Sequence, residues 1–323
     1  MKLLFFDDYR LGVLKGDTVV DVGDVVKDIP HLQPQDLIKG LIEQWDAYKG
    51  KLESAVASGS GKPLGSVNIR PPLPKPNTIA CMAVNYLENH TLPGPAPINA
   101  FLKSGHCVIG DGDTMVLPDI PASVFEGEAE MAVVIGKRAT NVSRDDAMSY
   151  VFGYVNFIDG SARGVIPANN SFYQMKSRET FAPIGPFIVT ADEVPNPHNI
   201  QIHLWNNGQL MQDFNTDDMG NDIPRCIEFI TSAHPLEAGD ILATGTNHRG
   251  LHAFQDGDRI ELEVEGMGRL HINVRDDLKR QWPRETRLDR LEAARARGEN
   301  VGYVGSTSVQ TGGKYTPAEA ANA

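Results

Sequence analysis

The sequence predicts an α+β protein in which β-strands dominate. Short runs rich in β-branched and other apolar residues recur between turns that contain Pro, Gly and Asn, a pattern typical of strands. Segments with the spacing of an amphipathic helix are few. The strand-like runs include 78–84, 186–190, 200–205, 241–244 and 259–264, and the helical runs include 36–45 and 223–233.

The composition is that of an ordinary globular protein and argues against several classes of function. The 323 residues are 41% hydrophobic and 22% charged, and the formal net charge is -12. Because this charge repels nucleic acids and anionic membranes, we expect neither as a partner. No apolar run reaches the roughly 20 residues of a membrane span, and residues 1–10 lack the apolar core of a signal peptide, so a cytoplasmic location is expected.

Three units are predicted along the chain. Residues 1–75 form a small N-terminal α/β lobe and a linker, because short strands and one amphipathic helix precede a stretch rich in Gly, Ser and Pro. Residues 76–275 form the main catalytic domain. Residues 276–323 form a polar C-terminal helix and a tail that cannot support a core of its own. The basic side chains of 279–297 alternate with acidic ones, which predicts a solvent-exposed helix.

Three glutamates mark the most informative stretch. Glu126, Glu128 and Glu130 occupy alternate positions directly before the apolar run 131–135. In a strand these side chains share one face. The continuous apolar run favours a strand that is buried on both faces over a solvent-exposed edge strand. The strand therefore carries carboxylates into the core.

Buried carboxylates that repel one another require a positive partner. A further apolar stretch, 150–158, ends in Asp159, which offers another oxygen ligand at a strand end. Oxygen ligands of this kind suit magnesium, manganese or calcium, and they do not suit zinc. The sequence thus predicts a site for a divalent cation.

A series of motifs gives the chain a family resemblance. The motifs are EAEMAVVIGK at 128–137, GYVNFIDGSAR at 153–163, KSRETFAPIGP at 176–186, NNGQLMQDFNTDDM at 206–219 and GDILATGTNHRG at 239–250. In this order and spacing they resemble the fumarylacetoacetate hydrolase (FAH) family. The resemblance implies a mixed β-sandwich roll, a homodimer and a metal held by Glu128, Glu130 and Asp159.

The resemblance also implies substrate contacts in the main domain. Lys176 would stabilise negative charge on a substrate oxygen, although a lone lysine is more often a surface residue. Thr180 and Thr246 would fix the substrate, although threonine is also a common turn residue. Tyr86 and Gln212 are placed at the substrate by resemblance alone.

Arg163 has two alternative roles. It could bind a substrate carboxylate through both of its terminal nitrogens, or it could order a metal-ligating carboxylate. The sequence favours neither.

The segment 81–94 is a candidate lid, because it follows a strand and ends in turn residues. Hydrolytic relatives carry a His and a Glu here that orient a water molecule. In this chain His90 comes one residue late and the expected Glu is missing. We expect His90 to act as the base, with Glu88 as the nearest substitute for the orienting carboxylate.

The function expected from these observations is metal-dependent hydrolysis of a carbon–carbon bond in a 2-oxo or 2,4-dioxo carboxylate, such as an acylpyruvate. An isomerase, decarboxylase or hydratase that uses the same enolate is an alternative. A catalytically lapsed metal-dependent binding protein is another. A glycosidase is disfavoured, because neighbouring glutamates on one strand cannot flank a scissile bond.

Overall fold

The computed structural model describes residues 1–165 and 172–305. Strands outnumber helices, so the predicted α+β class with mostly β-structure is confirmed. The strands are Lys2–Phe6 (β1), Arg10–Lys15 (β2), Thr18–Asp21 (β3), Lys62–Pro63 (β4), Ile69–Arg70 (β5), Ile79–Met82 (β6), Ala100–Lys103 (β7), Val108–Ile109 (β8), Thr114–Val116 (β9), Val124–Ile135 (β10), Val151–Arg163 (β11), Ala182–Thr190 (β12), Gln201–Asn206 (β13), Gln209–Asn215 (β14), Ile241–Ala243 (β15), Arg259–Val264 (β16) and Arg269–Arg275 (β17). The helices are Pro34–Glu43 (α1), Trp45–Ser58 (α2), Phe172–Lys176 (α3), Ile223–Ala233 (α4) and Arg287–Ala296 (α5).

The strands form two mixed sheets. A 12-stranded sheet has the order β4-β3-β2-β1-β12-β11-β10-β15-β6-β7, with β5 and β8 attached at its side. A 5-stranded sheet has the order β14-β13-β16-β17-β9. The long strands β10, β11 and β12 lie near the middle of the larger sheet, so this sheet is the frame of the candidate site.

The N-terminal strands continue the larger sheet. β1 pairs antiparallel with β12, and Lys2 lies opposite Val189. The apolar side of α1, including Leu41, shares a core with Ala132 and Val134 of β10. The boundary near residue 75 stays a prediction.

Strand β10 is buried along its whole length. Met131 and Val133 pack into one hydrophobic core, and Ala132 and Val134 pack into the core on the other side of the sheet. The alternation predicted from the sequence therefore holds, and the solvent-exposed edge strand is excluded. The carboxylates of this strand enter the interior.

Cys81, Cys107 and Cys226 are buried and free. Among the described helices, none has the length and apolar character needed to cross a membrane. Most of the predicted polar tail, 306–323, lies outside the described residues.

Candidate metal centre and active site

Three carboxylates converge where β10 and β11 pair. Glu128 lies directly opposite Asp159 in the antiparallel register. Glu130 is two positions further along β10 and therefore points to the same face. One oxygen of each of these carboxylates lies within 4.8 Å of the others, and all three side chains are buried. The predicted set of ligands is thus brought together.

Glu130 shows why this cluster fits a divalent cation. Its Oε2 accepts a hydrogen bond of 2.7 Å from the backbone N–H of Gly245, whereas its Oε1 is buried without a hydrogen-bond partner among the described residues. Burial and the carboxylates of Asp159 and Glu128 raise the pKa of Glu130 well above its usual range. A cation with oxygen ligands would satisfy the free oxygen and offset the repulsion.

Two buried lysines flank the carboxylates. Lys176, at the end of α3, places Nζ 2.5 Å from Asp159 Oδ2 and 2.9 Å from Glu128 Oε1. Lys103, at the end of β7, donates to Asp159 Oδ1 and to the carbonyl oxygen of Gly160. Lys176 is therefore not a surface lysine, and its role toward the substrate stays a prediction. Lys103 was missed, because AFLK reads as an ordinary strand end.

Arg163 orders the carboxylates in this structure. Its Nε donates to Glu126 Oε2 at 2.9 Å, and its Nη2 donates to Glu128 Oε1. Burial acts to raise the pKa of Glu128, but Lys176, Arg163 and His248 together hold it well below the usual range. This geometry matches the second of the two roles considered above. Direct binding of a substrate carboxylate by Arg163 stays a prediction.

Thr246 and Gln212 hold the backbone between the glutamates. Thr246 Oγ1 donates to the carbonyl oxygen of Ala129 at 2.8 Å, and Gln212 Oε1 accepts from the N–H of Ala129 at 3.1 Å. Gln212 Nε2 also donates to Thr246 Oγ1 at 2.9 Å. Both side chains thus hold β10 in place between Glu128 and Glu130, and their contact with substrate stays a prediction.

The other two predicted substrate contacts lie in different surroundings. The hydroxyl of Thr180 accepts a hydrogen bond of 2.9 Å from the backbone N–H of Val116, which joins it to β9. Tyr86 is buried and packs edge-to-face on Phe214, with ring centroids 5.1 Å apart. Their proposed contacts with substrate stay predictions.

The lid loop corrects the predicted pairing of Glu88 with His90. Glu88, Asn89 and His90 all have positive φ angles, of 56°, 57° and 56°. Such a left-handed run is unfavourable for residues other than glycine. Asp218 stabilises it by accepting hydrogen bonds from the N–H groups of Asn89 and His90 at 2.9 and 2.7 Å.

This backbone directs Glu88 inward and His90 outward. The Glu88 side chain is 1% exposed, whereas that of His90 is 60% exposed and lies beside Asp217 and Asp218. Glu88 Oε1 instead accepts from Nδ1 of His248 at 2.5 Å, and Glu88 Oε2 accepts from the N–H of His248 at 3.0 Å. The buried His–Glu pair is therefore His248 with Glu88.

His248 was missed even though its motif was recognised. It stands in ATGTNHRG, two residues after Thr246, which contacts Ala129, so its place near Glu128 follows once that contact is known. It lies near enough to Glu128 for its charge to lower the pKa of that carboxyl. With Nδ1 bonded to the Glu88 carboxylate, Nε2 is the ring nitrogen left to exchange a proton with water or substrate.

The C-terminal helix is exposed on one face, as predicted, but its other face is buried, which the prediction did not include. Arg287, at the start of α5, is 2% exposed. Its Nε donates to Glu126 Oε1 at 3.0 Å, and its Nη2 donates to Glu126 Oε2. Burial acts to raise the pKa of Glu126, but Arg287 and Arg163 lower it to about 2. Glu126 thus links α5 to Arg163 and, through Arg163, to Glu128.

We expect Arg287→Met to destabilise the fold by about 3–5 kcal/mol, because removing one partner of a buried ion pair leaves the other charge poorly compensated. The free energy of unfolding from chemical denaturation measures this effect. Arg297→Met is the matched control, since Arg297 is exposed and pairs with Glu299 at the surface. If both variants unfold at the same denaturant concentration, the buried cluster does not stabilise the protein.

Comparison with known proteins agrees with this architecture. Residues 78–275 match the model of the fumarylacetoacetate (FAA) hydrolase C-terminal domain. Maleylpyruvate hydrolase of Aquipseudomonas alcaligenes is 31% identical over 85% of this chain and 99% of its own. Oxaloacetate tautomerase of Bacillus subtilis is 34% identical over 65% of this chain and 74% of its own.

A solved structure shows the same fold. The crystal structure of maleylpyruvate hydrolase from Sphingobium sp. SYK-6, in complex with manganese (II) ion and pyruvate, superposes with a TM-score of 0.78. It is 34% identical, and the match covers 85% of this chain and 99% of that one. The carboxylate cluster, the strand order around it and these similarities lead to one conclusion. The chain belongs to the fumarylacetoacetate hydrolase family.

Proposed function

We propose that the protein is a metal-dependent hydrolase that cleaves a carbon–carbon bond in an acylpyruvate-like 2,4-dioxo acid. The single observation that carries the proposal is the buried His248–Glu88 pair, whose imidazole lies near enough to Glu128 to affect the pKa of that carboxyl. A hydrolase needs a base for water next to its metal, whereas a binding protein needs only the metal. Manganese or magnesium suits the oxygen ligands.

A cavity reaches Glu88, the carboxylate partner of the proposed base. A cavity of about 260 Å³ is bordered by Glu88 and Leu92 of the lid loop and by Leu288 and Leu291 of α5. The C-terminal helix thus forms one wall of the cavity beside Glu88.

A divalent cation held by the three carboxylates would supply Lewis-acid stabilisation of a substrate enolate. Side chains of the protein carry out the remaining steps. His248 Nε2 accepts a proton from water, while Glu88 holds Nδ1–H and stabilises the imidazolium that forms. The hydroxide adds to the acyl carbonyl carbon, and the bond from that carbon to the neighbouring methylene carbon then breaks. The electron pair passes to the pyruvate enolate, which is protonated at the methylene carbon. Lys176 supplies positive charge close to the developing enolate.

The alternative is an enolate reaction without hydrolysis. The tautomerase relative favours it, because a tautomerase moves a proton and breaks no carbon–carbon bond. Lys176 and the carboxylate cluster would serve that chemistry equally well.

The cytoplasmic location and the homodimer expected from the sequence stay predictions.

Product analysis separates these reactions. The full chain, loaded with Mn²⁺, is incubated with acetylpyruvate, maleylpyruvate or oxaloacetate in isotopically labelled water. We expect pyruvate from an acylpyruvate, together with one labelled oxygen in the second acid product. The same mixtures after chelation of the metal are the control.

Other outcomes contradict the hydrolase. Loss of the enol absorbance of oxaloacetate without pyruvate formation indicates a tautomerase, and release of carbon dioxide indicates a decarboxylase. Binding of the acids without any turnover supports the catalytically lapsed protein.

A further inference from the structure

One buried carboxylate binds the backbone of the lid segment 81–94. Asp218, three residues after the end of β14, is 2% exposed. Its Oδ2 and Oδ1 accept from the N–H groups of Asn89 and His90, and its carbonyl oxygen accepts from the N–H of Leu87 at 2.9 Å. Successive N–H groups in a turn form a concave site for an anion, and here the carboxylate of Asp218 occupies it. The carboxylate thus compensates for the unfavourable left-handed backbone of the lid.

Asn247 connects this carboxylate to the loop that carries the proposed base. It is 3% exposed and stands directly before His248. Its Nδ2 donates to Asn89 Oδ1 at 2.8 Å and to Asp218 Oδ2 at 3.0 Å. Its Oδ1 accepts from the N–H of Arg249 at 3.1 Å. Because an amide offers two donors and an acceptor, one side chain bonds to the lid, to Asp218 and to its own loop.

Neighbouring residues of the lid therefore bond to neighbouring residues of the second loop. Asn89 bonds to Asn247, and Glu88 bonds to both Nδ1 and the backbone N–H of His248. The direction of the Glu88 side chain depends on the backbone that the first contact holds. Without that contact, the left-handed residues would relax to more favourable φ angles, and Glu88 would turn away from His248.

We propose that Asp218 and Asn247 are positioning residues for the base: they hold the lid in the left-handed turn that brings Glu88 to His248. The inference rests on the proposed function, in which His248 accepts a proton from water while Glu88 holds Nδ1–H. Both residues act through Glu88 and need no contact with substrate or metal.

A double-mutant cycle on hydrolysis of acetylpyruvate by the Mn²⁺-loaded full chain tests this role. Asp218→Asn keeps the shape of the side chain, but one oxygen becomes an NH₂ group that faces a backbone donor of the lid. We expect kcat to fall about tenfold or more, the scale of a lost hydrogen bond to a charged group. In the His248→Ala background the same substitution should cause no further fall, because a missing base cannot be misplaced.

Hydrogen exchange followed by mass spectrometry measures the lid without any activity. In Asp218→Asn, the amides of the lid segment should exchange at least about tenfold faster, whereas those of β10 should keep the wild-type rate. Asn247→Ala removes the other half of the junction, and it should give the same pattern in kcat and in exchange. Asp217→Asn is the matched control, since Asp217 is 52% exposed and lies beside the exposed imidazole of His90. It should keep the wild-type kcat and lid exchange.

The proposal is overturned if Asp218→Asn retains the wild-type kcat, or if it lowers kcat by the same factor with and without His248. The second result would assign it a general effect on the fold. If faster exchange in β10 shows that Asp218→Asn is misfolded, the same two criteria applied to Asn247→Ala decide the matter.

The two readouts distinguish this proposal from the one on which it rests. If the wild-type protein hydrolyses acetylpyruvate and the variants loosen the lid without lowering kcat, the proposed function stands and the positioning role is wrong. If the wild-type protein hydrolyses no acylpyruvate, the proposed function fails and the positioning of a base fails with it, whatever the exchange of the lid.

Discussion

Replacing His248 with alanine is expected to lower kcat for acylpyruvate hydrolysis by about 100-fold or more, the usual scale for loss of a general base. Among the histidines that the structure describes, His248 alone combines a bond to a buried carboxylate, 2.5 Å from Nδ1 to Glu88 Oε1, with a position near Glu128. The Glu88→Gln variant should show a smaller fall in kcat, because glutamine still accepts the hydrogen bond from Nδ1–H but stabilises the imidazolium less.

His90→Ala provides the contrast within the same lid. Its imidazole is 60% exposed and faces Asp217 and Asp218, so we expect kcat within a few-fold of the wild-type value. Initial rates at saturating acylpyruvate, with Mn²⁺ binding measured on each variant, test all three substitutions. A large loss in His90→Ala with full activity in His248→Ala would reverse the assignment and restore the role expected from the sequence.

The carboxylate cluster could be predicted from the sequence because its causes are local. The alternation of a strand puts Glu128 and Glu130 on one face, and the apolar run that follows shows that this face is buried. To place Asp159 in the cluster, it was enough to assume that β11 pairs with β10, as strands that are neighbours in the sequence commonly do. The fold could be predicted because the order of the motifs resembles that of a known family.

The pairs Glu88–His248 and Glu126–Arg287 could not be predicted, because each joins distant parts of the chain. Glu88 and His248 are 160 positions apart, and their contact depends on three successive left-handed residues that no propensity favours. Glu126 and Arg287 are 161 positions apart. The alternating charges of the C-terminal helix are typical of an exposed surface, and only the tertiary contact with Glu126 buries Arg287.

Glu130→Gln is expected to abolish metal-dependent activity and to lower the affinity for Mn²⁺ by about 100-fold or more. Loss of a residue that only hydrogen-bonds to a metal ligand already lowers metal affinity by roughly 10–100-fold, so loss of a ligand should lower it at least as much. The substitution keeps the shape of the side chain and its acceptor for the N–H of Gly245, but removes the charge. It also relieves repulsion by Asp159 and Glu128, so the melting temperature of the metal-free protein should not fall.

Glu263→Gln is the matched control, since Glu263 lies on β16 and pairs with Arg269 at the surface. It should keep the activity and the metal affinity of the wild type. A variant at Glu130 that melts well below the metal-free wild type would indicate damage to the fold instead of loss of a ligand.

Titration of the metal-free full chain with Mn²⁺, followed by calorimetry, tests the central claim most directly. We predict that the wild-type protein binds one Mn²⁺ per chain and that Glu130→Gln shows no comparable binding. A wild-type protein that binds no Mn²⁺, or a Glu130→Gln variant that binds it as tightly as the wild type, would contradict the assignment of Glu128, Glu130 and Asp159 as the metal centre.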